Sequence, residues 1–556
     1  MDLPMKLSRR RLLGHGSRLA SGVALTSAFA PLAGARAQAP VTIASAGARP
    51  RLDTGLQFGD PTLTLAGSSG ATPSSQGPWT HGGLEARAIA WTRADRPSQL
   101  HLSWSLDEDF RDAVALPPLW LHPSDDHTGR IDLGGLPPGR RIIVRAWAES
   151  LDGSRAASEP VGGSFVTPSA QRQNVRFVWG GDTAGQGWGI SPSHGGMTIY
   201  QTMLAQDPAF FVHSGDTIYA DGPITAEQAI PGGGFWQNVV TEAKSKVAET
   251  LDEFRGAYRY NFLDEHVLAF NQRVAQIWQW DDHEVTNNWS GSKDLGADPR
   301  YTEKSVRQLT ERATRAFLEY APIRLAGPRE RDRVYRRISH GPLLDLFLVD
   351  MRSYRGPNSA NLQAGYDPAS WFLGPEQLEW LEAGLARSRA VWKVICADMP
   401  IGLEVADGRD AGGQPRWEAI ANGDPGLPLG REQEIARLLS WLRRERVRNV
   451  VWLTADVHYC AAHHYHPDRA RFRDFDPFWE FVAGPLHAGA FGPGKLDPTF
   501  GPAAVFEKGP AVQNEPPMDH NQFFGQVDID AESLAMRVAL KDRSGNAVFE
   551  RLLSAA

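Results

Sequence analysis

The sequence predicts an α/β fold preceded by a small all-β domain, and three observations predict it. Six apolar runs after residue 174 each end in aspartate. They are "NVRFVWGGD" at Asp182, "PAFFVHSGD" at Asp216, "VAQIWQWDD" at Asp281 and Asp282, "LLDLFLVD" at Asp350, "VWKVICAD" at Asp398, and "NVVWLTADVH" at Asp456 and His458. Continuous apolar runs read as strands buried on both faces. Between them, residues 376–389 and 432–446 space their apolar side chains as helices do, so helices cover the sheets. Upstream, residues 40–168 hold shorter runs: "ARAIAWTRA", "SQLHLSWSL", "GRIDLGGL", "RRIIVRAWAES" and "GGSFVTP". These are rich in β-branched and aromatic residues and divided by Gly, Pro and Asp turns, the pattern of a small β-sandwich.

Residues 1–37 stand apart from the fold. A basic segment with Ser8-Arg9-Arg10-Arg11-Leu12-Leu13 is followed by a mildly apolar stretch, 19–35, and by Ala35-Arg36-Ala37. Twin arginine, apolar stretch and small-residue cleavage site arrive in the order of a twin-arginine signal peptide. The expected partner is the twin-arginine translocase, and the expected location is periplasmic or secreted. The β-sandwich spans 40–168, with Leu136-Pro137-Pro138-Gly139 as a turn feeding a strand, and it contains no catalytic cluster. "TPSAQRQN", 167–174, is the linker, and 173–556 is the catalytic domain. In its last part a Gly/Pro-rich loop, 489–520, precedes "GQVDIDAESLAMRVALKD", read as two strands that complete the sheet.

Composition narrows the function. The chain has 556 residues, 42% hydrophobic, with formal charge −7. Loss of 1–37 removes six basic residues and one acid and takes the charge to −12. An acidic surface argues against nucleic acid, whose phosphates select Lys and Arg. No stretch beyond the leader approaches the ~20 apolar residues that span a bilayer. The two cysteines, Cys396 and Cys460, provide no disulfide framework; whether they pair is open, as is the oligomeric state.

Ligands of α/β folds bind beyond the carboxyl ends of strands. One strand-end Asp is a helix cap or turn residue, but six in succession point to one polar site. In "WQWDDHEVTNNW", 278–289, four ionisable residues follow an apolar run. Carboxylates, imidazoles and amides together are the ligand set of hard and borderline metal ions, and acids so close would repel one another without cations between them. Paired metals are a recurrent device for cleaving phosphate esters.

Five stretches, "SGDTIYADG", "WDDHEVTNNW", "DMRSYRG", "LGPEQLEWL" and "LTADVHYCAA", resemble in order the motifs of the alkaline phosphatase D (PhoD-like) family. "GDPTL" and "WTRADRP" resemble that family's β-domain. The resemblance covers nearly the whole mature chain and implies the calcineurin-like metallophosphoesterase α/β sandwich, two sheets flanked by helices. It implies Asp216 as a carboxylate bridging two metals and Tyr219 as a phenolate on Fe³⁺. Asp282 stands for the Asn of a Gly-Asn-His-Glu motif, and His283 then lies at the leaving group. Asp456 and His458 close the site: Asp182 and His458 join Asp216 and Tyr219 on the Fe³⁺, Asp282, Asn288 and Asp456 are the candidate ligands of a Ca²⁺ that shares Asp216, and Arg352 and Arg355 could grip phosphate. The implied reaction is in-line attack of a metal-bound hydroxide on phosphate mono- or diesters. One departure matters: better-known members carry cysteine where this chain has Asp182. A carboxylate loosens selection for iron and admits Mn²⁺ or Zn²⁺; Tyr219 pulls the other way.

Other residues take quieter readings. Glu284 is expected to orient His283, and Asp350 and Asp398 to be structural. His463, His464 and His466 read as a surface loop, Cys460 as a core residue, and "GGDTAGQGWG", 180–189, as a flexible rim. His487 could point into the site or away. The competing function is a non-catalytic surface or carbohydrate-binding protein with a structural metal; a metal-dependent amide or lactone hydrolase is a third. The intact DDHE and DVH clusters oppose the former, and Arg352 and Arg355 the latter.

Overall fold

Two sheets form the centre of a computed structural model that describes residues 49–66, 80, 82–327, 330–518 and 521–556; the expected signal peptide, 1–37, lies outside these residues. The first sheet has nine strands in the order Ala547–Leu553, Met536–Asp542, Phe523–Ile529, Val175–Gly180, Phe210–His213, Ala275–Trp278, Leu56–Leu65, Leu84–Arg93, Thr128–Leu136. The second has seven: Arg336–Ser339, Leu344–Leu348, Trp392–Cys396, Val450–Thr454, Phe478–Val482, Cys460–Tyr465, Pro502–Lys508.

Each sheet contains three parallel, Asp-terminated strands side by side: Val175–Gly180, Phe210–His213 and Ala275–Trp278 in one, Leu344–Leu348, Trp392–Cys396 and Val450–Thr454 in the other. The inner faces meet in a core that includes Phe177, Val212 and Ile277 from the first sheet and Leu346, Val394 and Leu453 from the second. The alternate residues face outward. Phe211 packs against Tyr200 and Phe270 of the helices Thr198–Leu204 and Glu265–Asn271, in a cluster shared with Val178. Phe347 packs against Trp380 of Pro375–Arg387, in a cluster shared with Ile395, Trp452 and the helix Glu432–Arg444. Burial on both faces is why these strands read as unbroken apolar runs. The helix Leu251–Asn261 opens with a full capping box, Thr250 and Glu253.

The expected separate β-sandwich needs correction. Strands Ser98–Ser105, Arg141–Ser150 and Val161–Val166 do form a smaller sheet. Leu56–Leu65, Leu84–Arg93 and Thr128–Leu136, however, extend the catalytic sheet, with Gly59 in parallel register beside Gln276. Asp60, fully buried, also ties this segment to the second sheet through Arg336 (2.7 Å). Residues 49–556 accordingly form one compact unit. The 489–520 loop contains the strand Pro502–Lys508, and the C-terminal part adds a third strand, Ala547–Leu553. Cys396 and Cys460 are buried and free.

Candidate metal centre

The loops after the Asp-terminated strands bend sharply to aim their side chains inward. Asp182 (φ 71°), Asp216 (52°), Asn288 (53°), Asp456 (68°) and His458 (61°) all occupy the left-handed backbone region. Asp and Asn tolerate that region better than most residues, and strain of this kind concentrates at functional sites. Gly215 (φ 108°) is required on steric grounds, since a Cβ there would lie 2.5 Å from the Cβ of Asp281. Only glycine lets the Asp216 turn press against the 281–284 turn.

Among the described residues, potential ligand atoms gather in three groups, each within 4.8 Å: Asp182, Asp216 and His458; Asp216, Asp282 and His283; Asp281, Asp282 and Asp456. Asp216 belongs to the first two, so a carboxylate common to two ion positions is present. The third group already holds a cation. The Arg352 guanidinium pairs with Asp281 and lies 3.9 and 3.8 Å from Asp282 and Asp456. The first two groups remain as candidate ion positions.

Tyr219 borders the first position, its hydroxyl 2.8 Å from His458 Nε2. His458 Nδ1–H donates to the Gly489 carbonyl, which leaves Nε2 as the lone-pair nitrogen, the usual arrangement of a ligating imidazole. Burial keeps that imidazole neutral, its pKa lowered to about 4. The donor set fits metal ions. Both carboxylate oxygens of Asp182 and Oδ1 of Asp282 are buried without a hydrogen-bond partner. Burial pushes the carboxyls of Asp182, Asp216 and Asp456 well above the ordinary range, the surrounding acids adding to it. Cations placed among them would let all three ionise.

His283 is held by a residue that the motif reading missed. Its Nδ1 lies 2.6 Å from Asp221 Oδ1, while Asp221 Oδ2 accepts the Asn287 N–H at 2.9 Å. Burial works against Asp221's charge, yet the neighbouring His283 brings its pKa down to about 2. Burial likewise opposes a charged His283, but Asp221, Asp282 and Asp216 hold it well above the usual histidine value. The signal for Asp221 was present, five residues after Asp216 in "GDTIYADG", but only the fold brings it to residue 283.

Glu284 has a different task from the one expected. Its Oε1 accepts from the Thr217 N–H and hydroxyl, both at 2.7 Å, and its Oε2 from the N–H groups of Asp281 (2.8 Å) and Asp216 (3.3 Å). It fastens the two ligand-bearing turns to each other rather than orienting His283.

The expected phosphate-gripping arginines also need correction. The Arg352 side chain is fully buried and enclosed by carboxylates: besides Asp281 it pairs with Asp398 (2.8 Å) and Glu418. Arg355, equally buried, donates to Asn358 Oδ1 (3.0 Å) and the Glu418 carbonyl and lies over the Phe372 ring. Both guanidiniums are buried inside the protein, although Nε and Nη1 of Arg355 have no hydrogen-bond partner there. Asn288 donates its amide nitrogen to Asp407 (3.0 Å) and its backbone N–H to Asp282.

Asp398 is structural through Arg352, and Asp350 caps its own turn through the N–H groups of Arg352 and Ser353. His463 is no surface residue: it is buried in the strand Cys460–Tyr465 and pairs with Glu480 at 2.9 Å. The His487 side chain turns away to the Gly189 carbonyl (3.0 Å), although its backbone N–H and C=O bond residues 182 and 184 beside the site. The 180–189 loop is pinned, with Trp188 buried and bonded to Asn514 at 2.9 Å.

Paired sheets that aim aspartates and histidines at two positions sharing one carboxylate define a metallophosphoesterase-type protein. Residues 177–540 match the family model for PhoD-like phosphatase, and the chain belongs to that family of phosphatases. It is 26% identical over 497 residues to alkaline phosphatase D of Bacillus subtilis (strain 168), covering 83% of this chain and 78% of that protein. A solved structure of PhoD superposes with a TM-score of 0.63 at 20% identity, over 91% of this chain and 92% of that one. The purple acid phosphatase PPD1 from yellow lupin (Lupinus luteus) seeds shares the fold, with a TM-score of 0.51 at 13% identity, over 90% and 74% of the two chains. Phosphate esters are thus the substrate class.

Proposed function

We propose that this phosphatase hydrolyses phosphate mono- or diesters outside the cytoplasm, with one ion at Asp182, Asp216, Tyr219 and His458 and a second at Asp216 and Asp282. The observation that carries the reading is Asp216, common to both positions and adjacent to a histidine fixed by a second acid. Bound cations supply polarisation of the phosphoryl group and activation of water. The chain supplies the rest. Asp216 fixes the spacing of the two positions, Glu284 fixes the turns that carry the acids, and Asp221 holds Nδ1 of His283. His283 Nε2 is thereby left to give a proton to the departing ester oxygen.

That last role has a specific test. His283→Ala is expected to lower turnover about 100-fold or more on alkyl phosphates and distinctly less on nitrophenyl phosphates, because a poor leaving group depends more on proton donation. Parallel assays on both ester types read it. Equal losses would make His283 a ligand or an orienting group instead.

For the ions we propose Fe³⁺ at the Tyr219 position and Ca²⁺ at the other, with Mn²⁺ or Zn²⁺ as the alternatives that Asp182 admits. A phenolate favours the trivalent ion, and the neutral Nε2 of His458 is compatible with it. Protein purified without chelator is expected to contain about one iron per chain and to show a visible tyrosinate-to-iron absorption band. A colourless, iron-free and fully active protein would remove the iron assignment while leaving the phosphoesterase reading intact.

Export rests on Arg9-Arg10 and Ala35-Arg36-Ala37. Replacing both arginines by lysine is expected to hold the precursor, with its leader uncleaved, in the cytoplasm. Fractionation with immunodetection reads this, and normal export of the double variant would refute twin-arginine export.

A further inference from the structure

Lys244 ends a single helical turn, Glu242–Lys244, that carries no recognised motif. The residue is 3% exposed. Its Nζ donates to the carbonyl of Tyr219 at 2.6 Å and to that of Gly222 at 3.0 Å. The surrounding main chain answers: the Ile224 N–H donates to the Lys244 carbonyl at 2.7 Å, and the Ala248 N–H to that of Ala220 at 2.8 Å. Residues 219–222 are thus bracketed at both ends by one buried ammonium. Two side chains leave that short turn toward the site. Tyr219 reaches His458 at 2.8 Å and Asp221 reaches His283 at 2.6 Å.

Burying an ammonium is unfavourable, and a methionine would fill the same volume without that penalty. The burial pulls the Lys244 pKa down to about 8, the Asp221 carboxylate acting against it. What methionine lacks is donors on a long stem, which lysine can offer to two carbonyls at once.

We propose that Lys244 is a positioning residue for the phosphoesterase reaction: by holding the carbonyls of Tyr219 and Gly222 it fixes the directions of Tyr219 and Asp221 together, and through Asp221 the imidazole of His283. The catalytic part rests on the reading above; the effect on the 219–222 turn does not.

The test is a double-mutant cycle on the full-length mature protein. Lys244→Met is expected to lower turnover about 10- to 100-fold, the scale of a small misplacement at a reacting centre, with KM changed less than about twofold. It should reproduce the leaving-group pattern of His283→Ala, and Lys244→Met combined with His283→Ala should lose little beyond His283→Ala alone, because groups acting through one another are not additive. Lys244→Gln, which keeps a donor, should recover most of the loss and serves if the methionine variant folds poorly. Amide hydrogen exchange across 219–224 should accelerate in Lys244→Met and less in Lys244→Gln. Additive losses, equal losses on both ester types, or unchanged turnover would overturn the proposal. If the wild type hydrolysed neither ester, the phosphoesterase reading would fall, while the exchange measurement would still report whether Lys244 orders the turn.

Discussion

Asp216→Asn should reduce turnover to below about a hundredth of wild type, roughly 2.7 kcal/mol in barrier, without unfolding the chain. Asparagine keeps the size of the side chain but offers one neutral oxygen where both ion positions need a charged one. Elemental analysis should show weakened loading at both positions, because Asp216 is shared between them. The stability effect runs the other way. Burial raises the Asp216 pKa well above the ordinary carboxylate range, so the metal-free folded state binds a proton that the unfolded chain releases. Its stability is therefore greatest below the unfolded carboxylate pKa and falls as pH rises through the folded value. Asparagine has no such proton to lose. Metal-free Asp216→Asn should match or exceed metal-free wild type in thermal stability near neutral pH, and the gap should close in acid. A variant that retained a tenth of wild-type turnover would contradict the bridging role.

Arg352→Met should be among the most destabilising single changes in the molecule, by about 3–5 kcal/mol, because it leaves buried acids without their counter-charge. The acids are Asp281, Asp398 and Glu418. Arg352→Lys should rescue little, since an ammonium cannot present donors to three carboxylates as the planar guanidinium does. The shift of the denaturant midpoint in metal-loaded protein reads this. A loss under about 1 kcal/mol with a large rise in KM would mean that the guanidinium swings out to meet substrate, the role first expected of it from the phosphate-binding habit of arginine.

Much of the candidate site was legible because its information is local. Aspartates directly after apolar runs mark the ends of buried strands wherever those strands come to lie, so Asp182, Asp216, Asp282 and Asp456 could be named from the chain alone. Asp456-Val457-His458 likewise marks two polar groups just past a strand end, and both lie on the turn that follows Val450–Thr454. Length, charge and the order of the motifs bounded the fold class for the same reason.

What escaped the sequence was direction and partnership across long separations. Arg352 follows a strand-end aspartate as a phosphate-binding arginine would. Only packing against Asp281 and Asp398, 71 and 46 positions away, turns it inward. Glu284 adjoins His283 in the chain, yet its carboxylate points to Thr217, whereas Asp221, 62 positions away, holds the imidazole. The upstream strands looked like a domain of their own because turn chemistry is local, while the pairing of Gly59 with Gln276 is not. The sequence by itself therefore determined which residue types stand at strand ends and what ions they suit. Tertiary structure alone decided which buried charges face ions and which face one another, because in a low-dielectric interior each charge must be matched by its nearest neighbours in space.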